Sequence, residues 1–154
     1  MDQLDLESSL REYKKFFDEA NVGLCRFDIK TGRVLMANDF FARMLGFDAA
    51  ATIIAGTETL GKLCGKDEKQ RLMARLRKEG EVNDYEMKLE ANGRSVWVSA
   101  YLHINCGGTC IQGTIINITN QKRAEFELEV LRSKQVLKLT NIGHKLDSLI
   151  NDLD

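Results

Sequence analysis

Between residues 82 and 118 apolar and polar side chains alternate with a period of two, the mark of strands with one buried face. In 82–91, Tyr85, Met87 and Leu89 share one face, while Asp84, Glu86, Lys88 and Glu90 share the other. In 94–104, Val96, Val98, Ala100, Leu102 and Ile104 oppose Trp97, Ser99, Tyr101 and His103. Asn92-Gly93 between these runs predicts a two-residue hairpin, because both central residues of such a turn take positive φ. Asn105-Cys106-Gly107-Gly108 predicts a second turn, and 109–118 a third strand. That strand contains Gly113, and a glycine inside a strand weakens it unless something approaches closely there.

Upstream, Leu6, Leu10, Tyr13 and Phe17 are spaced four, three and four apart, which predicts an amphipathic helix over 1–20. Its stripe either docks on the sheet or pairs with a second copy. Residues 23–38 read as a hairpin with turn residues at 28–32. Asn38-Asp39 follows as a helix cap, with Phe40, Phe41, Met44 and Leu45 at helical spacing and Gly46 as the stop. Residues 47–65 predict short helices and loops. Residues 67–78 predict a clearer helix, with Leu72, Met73 and Leu76 on one side and Gly80 at its end. Strand, strand, helices, three strands and a long helix make an α+β layout.

After Thr119 the pattern changes to a heptad. Leu139, Ile142, Leu146, Leu149 and Leu153 step by three, four, three and four, as in a coiled-coil seam. Leu128 and Leu131 extend it through Gln135 with steps of three, four and four, so a stutter interrupts the repeat. The other sides are polar, so the helix cannot bury this stripe alone. Its expected partner is a second copy in parallel; the alternative is docking on the outer face of the sheet.

The chain has 154 residues, of which 44% are hydrophobic, enough for one domain plus an appendage. Its 22 Lys and Arg balance 23 Asp and Glu, which argues against a dedicated nucleic-acid binder. No apolar run approaches the ~20 residues that span a bilayer, and the acidic N-terminus lacks a signal-peptide pattern. No membrane insertion and a cytoplasmic location are expected. In that setting the four cysteines are expected to be reduced thiols rather than a disulfide framework.

Four segments, in order, carry a resemblance: Gly23-Leu24-Cys25-Arg26-Phe27-Asp28; Val34-Leu35-Met36-Ala37-Asn38-Asp39-Phe40-Phe41 through Leu45-Gly46-Phe47; Asn92-Gly93-Arg94-Ser95-Val96-Trp97-Val98-Ser99; and Gly113-Thr114-Ile115-Ile116-Asn117-Ile118-Thr119. Across residues 12–122 the chain resembles a PAS domain with its C-terminal PAC motif. The resemblance implies a five-stranded antiparallel sheet with helices inserted after the second strand. An N-terminal amphipathic helix (1–20) and a C-terminal coiled-coil helix (120–154) would flank the PAS/PAC domain (21–119). The family usually closes its last strand with Asp-Ile-Thr; here Asn117 replaces the acid, so the signal junction Asn117, Ile118 and Thr119 would rest on neutral hydrogen bonds.

The resemblance further implies a sensory input and dimerisation module, in which the inner sheet face and inserted helices enclose a ligand. On this chain the pocket candidates are Phe27, Asn38, Phe41, Met44, Leu72, Leu76, Met87, Val98, Ala100, Ile111 and Gly113. These residues either fill a solid core or leave a small pocket, with Gly113 giving room. The dimer seam would be Leu128, Leu131, Leu139, Ile142, Leu146, Leu149 and Leu153, and the homodimer would form through the terminal helices. A ligand-linked change would then pass from the sheet to the coiled coil and to an output domain outside this chain, of histidine kinase or diguanylate cyclase type. The chain therefore looks like an input module excised from a longer protein. The alternative is a ligand-free interaction domain. A weaker alternative makes His144 a phosphoacceptor, but Lys145 follows it where a kinase helix carries an acid.

No enzymatic activity of the chain itself is expected, since it has no phosphate-cradling loop, no nucleophile elbow and no His-Glu-x-x-His. No cofactor is expected either. The helix over 67–78 lacks the histidine that haem-binding relatives use, and Cys64 lacks the Asn-Cys-Arg-Phe setting of the flavin-binding ones. His103, Cys106 and Cys110 do not form a paired metal knuckle.

Overall fold

The structure, a computed structural model, describes residues 2–153. Met1 and Asp154, the outer limits expected for the terminal helices, lie outside the described residues. Two compact units are present, residues 1–118 and 119–154. The first holds helix α1 (Gln3–Glu19), strands β1 (Gly23–Asp28) and β2 (Val34–Ala37), and helices α2 (Asp39–Met44), α3 (Ala50–Ala55), α4 (Leu60–Cys64) and α5 (Lys66–Glu79). Strands β3 (Glu81–Ala91), β4 (Arg94–Asn105) and β5 (Cys110–Asn117) complete it. The second unit is helix α6 (Thr119–Asp152).

The five strands form one antiparallel sheet in the order β2-β1-β5-β4-β3. β3, β4 and β5 form consecutive hairpins. The first strand then pairs with the last, Gly23 opposite Ile115 and Asp28 opposite Cys110. Asn92 and Gly93 take φ of +52° and +70°, the left-handed pair that a two-residue hairpin demands. β1 stops at Asp28, whose carboxylate accepts the backbone N–H and the hydroxyl of Thr31 at 2.8 Å each, a side-chain closure of the turn.

In β3 alternation predicts the buried face with one interruption. Strict period two from Met87 and Leu89 would turn Val82 outward, yet Val82 is buried. The β3–β4 register shifts between Val82 and Tyr85, and Asp84 stands at φ +50°. The bulge inserts a residue, returns Val82 to the inner face, and lets Asp84 accept the hydroxyl of buried Ser99 at 2.6 Å.

The inner sheet face meets α2 to α5 in one core. Phe27, Phe41, Leu45, Ile53, Leu72, Leu76, Leu89 and Ile111 are each at most 1% exposed. Phe27 and Phe41 pack edge-on, with ring centres 6.3 Å apart.

One polar side chain lies wholly inside. Asn38 is fully buried, and all four of its hydrogen-bonding positions are filled. Its Oδ1 accepts the N–H of Leu24 and the N–H of Phe41, both at 3.0 Å. Its Nδ2 donates to the carbonyls of Phe17 at 3.0 Å and Val22 at 2.8 Å. It is thus the expected cap of α2, and it also ties that helix to β1 and to the end of α1. A second long-range cap serves the far end of α2: Asn92 Nδ2 donates to the Leu45 carbonyl and Arg94 to the Arg43 carbonyl.

Replacing Asn38 by Leu strands two N–H groups and two carbonyls in a dry site. Asn38→Leu is expected to destabilise the chain by about 3–5 kcal/mol, read from the urea midpoint at unchanged slope. A loss below about 1 kcal/mol would show that water or rearrangement satisfies the four groups.

Candidate functional site

The pocket candidates divide when placed on the fold. Phe27, Phe41, Met44, Leu72, Leu76, Met87, Val98, Ala100 and Ile111 all converge on the inner core, and the most open of them, Met44, is 8% exposed. All nine belong to one buried cluster, closed off from the outside. Asn38 lies at the edge of the same core with its hydrogen-bonding capacity already used by the fold. Gly113 is explained by the sheet itself, because a β-carbon there would overlap the carbonyl oxygen of Tyr101 on the paired strand β4. The glycine permits close approach of a neighbouring strand, and the room expected from it is filled by that backbone.

The concave surfaces described lie outside this core. A groove of about 670 Å³ runs between α1, β2 and α3. It is lined by Tyr13, Phe16 and Phe17 from α1, by Leu24, Met36 and Ala37 from the sheet, and by Ala50, Ala51 and Ile54, with Lys14 and Asp18 at its edge. A recess of about 220 Å³ adjoins it on the outer sheet face, where Arg26 Nε donates to Gln112 Oε1 at 2.8 Å. The stripe of α1 supplies much of the groove. Leu6, Leu10 and Tyr13 are exposed, and Phe17 alone of that stripe is half-buried, so the helix is anchored at its C-terminal end by Phe17 and Asn38. Sequence reading found the stripe. The groove needed α3 and β2 placed beside it, which no local spacing encodes.

At the signal junction, Asn117 is the last residue of β5, opposite Val98. Ile118 follows, buried, with its N–H donated to the carbonyl of Trp97 at 2.8 Å, and Thr119 opens α6. Leu128, Leu131, Leu139, Ile142, Leu146 and Leu149 of α6, and Leu153 just after it, are all half or more exposed. Phe126, Val130 and Leu137 form a second apolar row on the opposite side, at multiples of the helical repeat. That row escaped the heptad reading because it lies outside the seam. His144 is an exposed residue of this helix.

The cysteines correct an expectation. Cys25 and Cys64 are free thiols, whereas Cys106 and Cys110 form a disulfide across the β4–β5 turn. The turn brings their Cα atoms to 5.6 Å, inside the range of roughly 4.4–6.8 Å that a disulfide bridges. Reasoning from compartment treated the four cysteines as one set and missed what one hairpin does to two of them. Burial pushes the Cys25 thiol from 9.0 up to about 12 and, with the Glu68 carboxylate beside it, the Cys64 thiol up to about 11. Both are held neutral, the opposite of an activated nucleophile. Among the described residues, no cluster of three or more His, Cys, Asp or Glu side chains is placed to hold a metal, and no helix is long and apolar enough to cross a membrane.

Against known proteins, residues 11–79 match the family model for a PAS domain. No curated protein matches the sequence. Among solved structures the chain is similar to an RNA-binding Light-Oxygen-Voltage receptor, with 19% identity and a TM-score of 0.62, over 86% of this chain and 39% of that one. It is also similar to a sensory box histidine kinase/response regulator from Burkholderia thailandensis E264 (20% identity, TM-score 0.58, 80% of this chain and 97% of that one). A domain of a sensory box sensor histidine kinase/response regulator from Geobacter sulfurreducens matches at 20% identity and a TM-score of 0.55, over 71% of this chain and 95% of that one. The class of fold is a five-stranded antiparallel sheet with helices inserted after its second strand. Residues 11–79 thus carry the match to a PAS domain, and the fold of the first unit is the one seen in domains of sensory box histidine kinases.

The thiol shifts carry a pH dependence. Folded Cys25 holds its proton to about pH 12, while the unfolded chain releases it near 9.0. Below about pH 9 the thiol contributes no slope; between about pH 9 and about 12 the unfolded state binds fewer protons than the folded one and stability falls as pH rises. Urea midpoints measured from about pH 8 to about pH 11 are expected to decline, and to decline less steeply in Cys25→Ala. An equal slope in the variant would place the alkaline sensitivity elsewhere.

Proposed function

We propose that this chain is the sensory input and dimerisation module of a signal-transduction protein of the sensor histidine kinase type. Its C-terminal helix pairs in parallel with that of a second copy and carries a change of geometry to an output domain. The observation that carries this reading is α6, a 34-residue helix beginning two residues after β5, with Leu139, Ile142, Leu146 and Leu149 each more than half exposed. A seam of that length left in water is unfavourable, and burying it against an identical seam removes the cost. The exposed stripe of α1 offers a second surface to the same partner copy.

A ligand would bias the pairing through the sheet, because Ile118 at the start of the exit path is bound to Trp97 on the neighbouring strand. One observation favours a second reading, in which the module works as a ligand-free interaction domain: none of the nine inner candidates is more than 8% exposed. Release of a bound small molecule on denaturation, read by mass spectrometry together with the absorption spectrum of the purified protein, separates the two. A colourless protein releasing a small metabolite supports ligand sensing, and one releasing nothing supports the interaction domain.

Light scattering is expected to give twice the chain mass. Leu139→Asp with Leu146→Asp is expected to halve it while leaving the thermal unfolding of the PAS unit unchanged. An unchanged dimer would move the interface to α1 or the sheet and overturn the coiled-coil reading.

A further inference from the structure

The β4–β5 turn holds chemistry that neither the core nor the seam uses. Asn105 pairs with Cys110, and the chain between them reverses through Cys106, Gly107 and Gly108 at φ of +56°, +66° and +90°. The two sulfurs of the resulting disulfide differ in access: Cys106 is exposed on the turn, while Cys110 is 1% exposed. We infer that this hairpin is a reversible thiol–disulfide exchange site for small thiols and disulfides of the glutathione class, entered at Cys106 and resolved by Cys110.

Three features argue against a fixed staple. The bond closes a loop between residues only four apart, and short loops gain least from cross-linking. The turn is closed without it. The backbone N–H and the hydroxyl of Thr109 both donate to the Cys106 carbonyl, at 3.4 and 2.7 Å, and the N–H of Ile29 donates to the Thr109 carbonyl at 3.0 Å. Finally, Cys106, a residue with a β-carbon, stands in the left-handed region that such residues rarely occupy while the bond is closed. Reduction frees that residue to leave it.

The exchange balances. A small thiolate attacks Cys106 Sγ; the protein S–S bond breaks, its electron pair goes to Cys110 Sγ, and Cys110 takes up a proton. A second small thiolate attacks the small-molecule sulfur of the mixed disulfide, releasing Cys106 as thiolate and one small disulfide. Two small thiols are oxidised and the protein disulfide is reduced to two thiols. The reverse sequence reoxidises the hairpin. Its loosening reaches the end of β1, because Ile29 is bound to Thr109.

The test equilibrates the full chain in buffers running from reduced to oxidised glutathione, then quenches with acid, alkylates and maps peptides by mass spectrometry. Cys106 and Cys110 are expected to be alkylated together in reduced glutathione, protected in oxidised glutathione, and restored over repeated cycles. In oxidised glutathione, Cys110→Ser is expected to retain one glutathione on Cys106, and Cys106→Ser none on buried Cys110. A wild-type pair that stays oxidised in a large excess of reduced glutathione, or stays reduced in oxidised glutathione, overturns the inference. So does equal uptake of glutathione by the two variants. Light scattering on the same samples reads the dimer separately, so loss of the coiled-coil reading would leave the exchange result standing.

Discussion

The fold turns on one buried amide. Asn38 offers two acceptor and two donor positions in a site without water, and each meets a backbone group from a different place in the chain: β1, the first turn of α2, the end of α1, and the segment before β1. β1 sits between β2 and β5, so whatever fixes its entry fixes the pairing of the first strand with the last. An unpaired polar group in that position costs more than a paired one contributes. The amide therefore specifies the arrangement more than it stabilises any single contact.

A closed interior leaves the open apolar surface elsewhere. With α2 to α5 and the inner sheet face packed on one another, the open apolar surface is concentrated in α1, in the groove it forms with β2 and α3, and along α6. Exposed apolar rows of this extent mark surfaces made to be covered. β5 joins the two chemically distinct ends of the molecule: the cysteine turn precedes it, and the helix with the seam follows it. The same strand pairs with both β1 and β4.

Much of this was legible along the chain because it is local. Period-two alternation marked β3, β4 and β5; Asn92-Gly93 marked their first hairpin; heptad steps marked the seam; Asn38 announced a helix start. What escaped required distant partners. The bulge at Asp84 reverses the face of Val82 and is visible only against β4. Gly113 read as spare room until the Tyr101 carbonyl was found in it. Cys106 and Cys110 read as separate thiols until three successive positive φ angles brought them together.

By itself the sequence determined the main elements, most of their buried faces and the apolar stripe of the last helix, since each follows from side-chain spacing over a few turns or residues. Only the tertiary structure decided that the first strand pairs with the last, that Asn38 serves four segments at once, that the inner candidates share one closed core, and that the apolar groove lies outside it. These depend on contacts between residues far apart in the chain, whose geometry is set by the packing of the whole unit and by no local pattern.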